Sequence, residues 1–118
     1  MQFEIRRYVN AAGADVFGEW FAALADRQAQ VRIRARLDRI SRGLFGDCEP
    51  VGEGVWELRV DWGPGYRVYY ARAGKAILLL LCGGDKRKQQ ADINRAKDYW
   101  NDFKKRTRPK STSSGERA

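Results

Sequence analysis

The stretch that decides the fold is "VWELRVDWGPGYRVYYARAGKAILLLLC", residues 55–82. It contains three runs rich in β-branched, aromatic and aliphatic residues, 55–60, 66–71 and 76–82, joined by the short segments DWGPG and RAGK. Runs of this kind with Gly-containing turns between them predict two successive β-hairpins. The third run is apolar at successive positions, which predicts that it lies inside the sheet and is covered on both faces.

Apolar residues at helical spacing flank this stretch on both sides. They predict helices over about 14–25, 27–42 and 86–105, and the alternation in QFEIRRY predicts a short strand over 2–8. The segment 44–54 is rich in turn formers and is predicted to be a loop.

The predicted order is strand, helix, helix, three strands, helix, which is an α+β domain. We expect the two N-terminal helices to pack on one face of a small antiparallel sheet, to leave the other face free, and to be followed by a C-terminal helix after the last strand. Trp20 and Trp100 lie on apolar helix stripes and are expected in the core. The domain is predicted to span 1–105, with a flexible basic tail over 106–118.

The charge of the chain is unevenly distributed. The formal net charge is +8, but residues 1–103 hold 17 Lys/Arg against 14 Asp/Glu, a net of +3, while 104–118 hold six against one, a net of +5. A basic balance favours an anionic partner, nucleic acid first, because counterion release drives that association.

The composition excludes several kinds of chemistry. The chain has no histidine, and its two cysteines, Cys48 and Cys82, lack the spacing of metal ligands. We therefore expect no metal, no cofactor, and reduced thiols in a cytoplasmic protein. The longest apolar run, 76–82, is far shorter than the roughly 20 residues that span a bilayer, so no membrane association is expected. Any catalysis would rely on Tyr, Lys, Arg or carboxylates.

Strand alternation brings three polar side chains together on the face that is expected to be free. They are Arg59, Arg67 and Tyr69, on neighbouring strands about 5 Å apart. Two guanidinium groups this close repel each other unless an acid or an anionic ligand lies between them. A phosphate would suit, because arginine presents paired donors to its oxygens. If Glu57 or Asp61 is the acid instead, the cluster is a salt-bridged sheet surface.

Two further groups of cations admit two interpretations. Lys86, Arg87 and Lys88 follow GGD at the start of the third helix, where free backbone N–H groups favour anions and disfavour cations. Arg36 and Arg39 lie on the polar side of the second helix. Each group is either a nucleic-acid-binding surface or solvated surface charge.

At "GVWELRVDWGPGYRVYYARAGKAILLLLCGGDKRKQQADINRAKDYW", 54–100, the chain resembles the addiction-module killer proteins, the phage-derived HigB-like branch of the RelE/ParE toxin superfamily. The shared pattern is a Gly-Val-x-Glu-Leu-Arg strand, a turn ending in Gly-Tyr-Arg-Val-Tyr, an aliphatic strand, and Gly-Gly-Asp-Lys leading into a helix. "RIRARLDRISRGLFGDCEPVGEG", 32–54, is similar to the second helix and loop of these proteins, and the resemblance covers about residues 2–103.

The resemblance implies the toxin of a type II toxin–antitoxin system. It further implies a metal-independent mRNA endonuclease that acts on the ribosome, inhibits translation, and is neutralised by a cognate antitoxin protein in a hetero-oligomer that binds operator DNA. Relatives on the ParE side inhibit DNA gyrase instead. A gyrase inhibitor and a non-catalytic RNA-binding or regulatory module are therefore the alternative functions.

The resemblance also implies roles for particular residues. Arg59 and Arg67 match the strand arginines of these toxins, Tyr69 the aromatic residue that follows, and Lys86 the lysine after the last strand. Arg67 would stabilise the charge of the transition state, and Tyr69 or Lys86 would act as general base or acid with a lowered pKa. The candidate RNA-binding residues are Arg36, Arg39, Arg87 and Lys88.

Overall fold

The structure, a computed structural model, describes residues 2–107. Its strands are β1 (Glu4–Arg7), β2 (Cys48–Gly52), β3 (Val55–Val60), β4 (Tyr66–Arg72) and β5 (Ile77–Asp85). Its helices are α1 (Val16–Ala22), α2 (Arg27–Ser41) and α3 (Gln89–Thr107), and a 3₁₀ turn, Lys86–Lys88, precedes α3. The predicted basic tail therefore begins inside α3, and its remaining residues, 108–118, lie outside the described residues.

The five strands form one sheet in the order β1-β5-β4-β3-β2. Both predicted hairpins are confirmed, because β3 pairs antiparallel with β4 and β4 with β5. The interior position of β5 is also confirmed. The expectation of a wholly antiparallel sheet is wrong, because β1 pairs parallel with β5. No turn joins these two strands, so no hairpin constrains their relative direction.

The predicted loop 44–54 contains an edge strand, which the prediction missed. β2 pairs antiparallel with β3, with a register shift between Pro50 and Gly52. Proline and glycine argue against an interior strand, but an edge strand has one unpaired side and tolerates both. The turn formers of this segment therefore mark the position of β2 at the edge of the sheet.

One face of the sheet is covered by α1 and α2, as predicted. Side chains from both helices pack against the same face of the central strands and form one hydrophobic cluster. Its members include Phe17 from α1, Ile33 and Ile40 from α2, and Leu58, Val68 and Leu80 from the sheet. Trp20 is partly buried against this cluster. The domain is thus of the mixed α+β class, with three helices on a five-stranded sheet.

The second face is covered as well, so the prediction that it would be free is wrong. α3 folds back across the sheet directly after β5 and its 3₁₀ turn, and it completes a second cluster. That cluster includes Ile93, Ala96 and Trp100 from α3, and Val55, Ala71 and Leu81 from the sheet. A sheet whose strands carry apolar residues on both faces is stable only when both are covered.

Two glycines near the end of β5 allow a helix to approach on each face. The third strand was predicted to end at residue 82, but β5 continues through GGD to Asp85. A Cβ atom on Gly83 would overlap the ring of Trp20, from α1, and a Cβ atom on Gly84 would overlap the carboxylate of Asp92, from α3. The absence of side chains at these positions therefore sets how closely α1 and α3 pack against the sheet.

We predict that Gly84→Ala destabilises the protein by about 1–3 kcal/mol, because the added methyl group overpacks the contact with α3. Urea denaturation measures the loss. The double variant Gly84→Ala/Asp92→Ala should recover part of it, because the overlapping carboxylate is removed. Equal unfolding midpoints for Gly84→Ala and the wild type would contradict this account of the contact.

Candidate anion-binding site

A small open cavity lies where the hairpin turn between β3 and β4 meets the start of the 3₁₀ turn. Its volume is about 160 Å³. Its lining residues are Asp47, Arg59, Asp61, Gly65, Arg67 and Lys86. The structure thus brings together Arg59, Arg67 and Lys86, three of the four residues that the resemblance singled out as catalytic.

Sheet register and one turn glycine position the cations of this cavity. Arg59 and Arg67 are direct partners in the β3–β4 ladder. Gly65 has a φ of +84°, a conformation that favours glycine, and the backbone N–H of Lys86 donates to its carbonyl at 3.0 Å. A Cβ atom at Gly65 would lie 3.2 Å from Cδ of Lys86 and 3.5 Å from Nη1 of Arg67. The glycine therefore allows these two cations to flank the turn closely.

A buried carboxylate, that of Glu57 on β3, lies beneath the cations and is 1% exposed. It accepts hydrogen bonds from Nε of Arg59 at 3.0 Å, from the hydroxyl of Tyr69 at 2.9 Å and from Nε2 of Gln89 at 2.7 Å. Nε of Arg67 lies 3.8 Å from the same carboxylate. Of the two acids that the sequence offered as a bridge between the arginines, the structure places Glu57 between them.

The surroundings of Glu57 keep it ionised. Burial acts to raise the pKa of this carboxyl, but the hydrogen bonds from Gln89, Arg59 and Tyr69 outweigh burial and hold the pKa below its usual value. The site therefore contains a fixed negative charge in the protein interior, next to two guanidinium groups. Because this pKa is lowered in the folded state, the stability it contributes is present above the ordinary glutamate pKa and is lost in acid.

Arg67 retains unused capacity to donate hydrogen bonds. Its side chain is 9% exposed, and Nη1 donates to the carbonyl of Tyr66 at 3.1 Å. Its Nε is buried and has no hydrogen-bond acceptor within residues 2–107, since 3.8 Å to Glu57 is too long for a hydrogen bond. Leaving such a donor unsatisfied costs about 1–3 kcal/mol. The Nε itself is enclosed, so an anionic ligand in the cavity would contact the part of the Arg67 guanidinium that lines it.

Tyr69 does not lie where the sequence placed it. It was expected to emerge on a free face beside the arginines, but α3 covers that face and Tyr69 is fully buried. Burial, and then the adjacent charge of Glu57, raise the pKa of its hydroxyl well above the usual value, whereas an acid–base role needs a lowered one. Its hydroxyl contacts Glu57 and does not reach the cavity surface.

The candidate RNA-binding residues occupy different environments. Arg87 pairs with Asp85 at 2.8 Å, and Asp85 also caps the 3₁₀ turn by accepting from the backbone N–H of Arg87. Lys88 and Arg39 are exposed. These residues do not line the cavity, so any contact they make with an anionic ligand lies outside it.

Arg36 has a structural contact that neither sequence interpretation included. It was predicted to be solvated or to bind nucleic acid. Its guanidinium donates to the carbonyl of Arg59 at 2.5 Å and to that of Phe45 at 3.0 Å. These bonds attach α2 to β3 and to the segment before β2. Arg36 therefore supports the strand that carries Arg59 into the cavity.

Gln89 is the member of this network that the sequence did not reveal. It is the first residue of α3 and contacts Glu57 across 32 positions of the chain. A polar residue at a helix start is common and predicts no such contact. The signal that marked Glu57 was the strand alternation, which puts it on the same face as Arg59.

Residues 2–107 contain no group of three or more His, Cys, Asp or Glu residues arranged to hold a metal ion. Both cysteines are free, and burial raises the pKa of Cys82 to about 12. None of the helices in the described residues is long and apolar enough to cross a bilayer.

We predict that Tyr69 ionises only when the protein unfolds in alkali. Because its folded pKa is raised, the neutral form contributes stability below the unfolded value of about 10 and loses it as the pH rises further. In an alkaline titration followed by tyrosinate absorbance, Tyr69→Phe should lower the amplitude that accompanies unfolding and leave the earlier amplitude unchanged. Circular dichroism identifies the unfolding step. Loss of early amplitude in the variant would show that Tyr69 is accessible.

Comparison with known proteins places this chain in a family. Residues 19–100 match the family described as phage-derived protein Gp49-like (DUF891). The chain is also 44% identical, over 81 residues, to an uncharacterized protein of Haemophilus influenzae, and the alignment covers 69% of this chain and 82% of that protein. All of the cavity-lining residues lie inside the region that matches the family. The chain therefore belongs to the Gp49-like family of phage-derived proteins.

Proposed function

We propose that this protein is the toxin of a toxin–antitoxin pair and that it cleaves mRNA on the ribosome without a metal ion. The observation that carries the proposal is the convergence of Arg59, Arg67 and Lys86 on one cavity. The phage-derived family and the motif resemblance support the toxin assignment. In this proposal a cognate antitoxin protein neutralises the toxin, and the site of action is the cytoplasm.

The chemistry that suits the cavity is attack of a ribose 2′-hydroxyl on the adjacent phosphate. A bond forms between the 2′ oxygen and phosphorus, the bond from phosphorus to the 5′ oxygen breaks, and the products are a 2′,3′-cyclic phosphate and a 5′-hydroxyl. Negative charge grows on the non-bridging oxygens in the transition state. Arg67 supplies paired N–H donors to these oxygens and Lys86 a second positive charge.

Two proton transfers complete the reaction. Tyr69 is buried, so Lys86 is the remaining candidate among the two proton-transfer residues that the resemblance implied. As an ammonium group it would protonate the departing 5′ oxygen. The proton of the 2′-hydroxyl needs an acceptor, and the carboxylates of Asp47 and Asp61 line the same cavity. The proposal thus assigns the acid to Lys86 and the base to one of these two carboxylates.

A non-catalytic RNA-binding module is the second candidate function. The observation that favours it is the pairing of Arg59, which contacts Glu57 at 3.0 Å, Glu49 at 2.5 Å and Asp47 at 3.9 Å. An arginine with this many acidic partners has little charge left for a transition state. In this alternative the cavity binds a backbone phosphate and no bond is broken.

We predict that induced expression of the wild-type protein creates new transcript 5′ ends inside translated codons, and that Arg67→Lys reduces them by about 10²–10³-fold. Lysine keeps the charge over Glu57 but lacks the planar fork of arginine. Mapping of 5′ ends a few minutes after induction measures the effect. Arg95→Lys is the matched control, because Arg95 pairs with Asp92 on α3 and does not line the cavity.

Other results of the 5′-end mapping would support a different function or a different set of site residues. Unchanged transcript ends in cells whose growth has stopped would indicate a gyrase-type target. Unchanged ends with normal growth would favour the non-catalytic module. If a folded Arg67→Lys variant cleaved mRNA as fast as the wild type, Arg67 would have no role in the reaction.

We also predict that Lys86 contacts an RNA phosphate. For a short single-stranded RNA, the slope of log affinity against log salt concentration should become shallower by about 0.7 in Lys86→Gln, because one phosphate contact is lost. Lys75→Gln is the matched control, since Lys75 lies in the turn between β4 and β5 and does not line the cavity. Equal slopes in both variants would exclude the contact.

A further inference from the structure

A carboxylate buried under a cationic cavity needs a physical reason. Glu57 is 1% exposed and lies on the sheet face that α3 covers, the face that also carries Val55, Tyr69 and Ala71. Burying a charge is costly, and a well-packed apolar side chain at such a position is often as stable or more so. Stability alone therefore does not account for a glutamate here.

The two oxygens of Glu57 have different partners. Oε2 accepts from the hydroxyl of Tyr69 at 2.9 Å and from the amide of Gln89 at 2.7 Å. Oε1 accepts from Nε of Arg59 at 3.0 Å and lies 3.8 Å from Nε of Arg67. One oxygen is thus held by neutral donors from β4 and α3, and the other is presented to the two guanidinium groups.

The two arginines depend on this carboxylate to different degrees. Arg59 also pairs with Glu49, on the edge strand β2, and with Asp47, the residue just before that strand. For Arg67, Glu57 is the acid that the described residues provide. Arg59 therefore has three acidic partners, whereas Arg67 has one, Glu57 at 3.8 Å, besides its hydrogen bond to the carbonyl of Tyr66 at 3.1 Å.

The charges around the cavity balance in number but differ in position. Arg59, Arg67 and Lys86 supply three positive charges, and Asp47, Asp61 and Glu57 supply three negative charges. Glu57 is buried next to the two guanidinium groups, so it reduces the repulsion between them. Attraction for a phosphate therefore comes from the nearby donors of Arg67 and Lys86 and not from an excess of positive charge.

We propose that Glu57 is the positioning residue of this site, held by Tyr69 and Gln89 through Oε2, and that its Oε1 holds Arg67 beside the phosphate to be cleaved. This inference rests on the proposed function. It gives Tyr69 a role in the reaction through Glu57, although Tyr69 does not reach the substrate.

The effect of Glu57→Gln on RNA binding and on cleavage distinguishes a positioning role from a purely structural one. Glu57→Gln keeps the shape of the side chain but removes the negative charge, so the cavity becomes more positive while Arg67 loses its support. RNA binding should stay the same or tighten, and cleavage should slow by about 10²-fold, since small displacements of a reacting group have effects of that size. A damaged fold would weaken binding and cleavage together.

The experiment is ribosome-dependent cleavage of a defined mRNA by the purified protein, with kcat and KM measured for the wild type and Glu57→Gln. The matched control is Glu49→Gln, which removes an exposed carboxylate from Arg59 and leaves Arg67 untouched. We expect a fall in kcat without a rise in KM for Glu57→Gln alone. Wild-type kcat, or a parallel loss of binding and rate, would overturn the proposal.

A second measurement separates this inference from the proposed function. NMR relaxation of the arginine Nε–H groups reports their motion on the picosecond-to-nanosecond timescale. The Arg67 group should be ordered in the wild type and in Glu49→Gln, and mobile in Glu57→Gln. If the wild type cleaves no RNA, the proposed function fails and this measurement still decides whether Glu57 holds Arg67. An ordered Arg67 in Glu57→Gln would overturn the inference.

A milder variant covers the case in which Glu57→Gln does not fold. Tyr69→Phe removes one of the two donors to Oε2 and keeps the ring in the core. We expect a smaller loss of kcat, again without a rise in KM, and a more mobile Arg67. Unchanged kcat and an unchanged Arg67 signal in Tyr69→Phe would overturn the proposed role.

Discussion

The buried negative charge of Glu57 is the constraint on which the site depends. A carboxylate in the interior is tolerated only when donors replace the water it has lost, and here the donors come from three elements, β3, β4 and α3. The two hairpin strands must therefore be in register and α3 must be docked before the carboxylate is satisfied. Folding of the domain and assembly of the cavity are in this sense one event.

The helices decide how much of the sheet is available for chemistry. α1 and α2 cover one face and α3 the other, and the glycine pair Gly83 and Gly84 lets α1 and α3 approach closely. A broad binding surface on the middle of the sheet is therefore excluded. The cations converge where strands end and turns begin, and their cavity opens beside Gly65. Placing polar residues in loops around a rigid scaffold is a common arrangement for binding sites.

Much of the central sheet was predictable, because its signals are local. Short turns between alternating runs specify the hairpins, and a continuous apolar run specifies the interior strand β5. The edge strand β2 was not predictable, because Pro50 and Gly52 are typical of loops and only pairing with β3 makes this segment a strand. The face that α3 covers was also missed, because helical periodicity identifies an apolar stripe and does not say which face of the sheet receives it.

The sequence by itself determined that Arg59 and Arg67 share one face of neighbouring strands, since side chains alternate with a period of two. It also determined that their charges need an acid or an anion between them. Only the tertiary structure decided that Glu57 takes this place, that Tyr69 is buried beneath α3, and that Gln89 completes the network. The reason is that these contacts join residues far apart in the chain, and they form only when α3 has packed against the sheet.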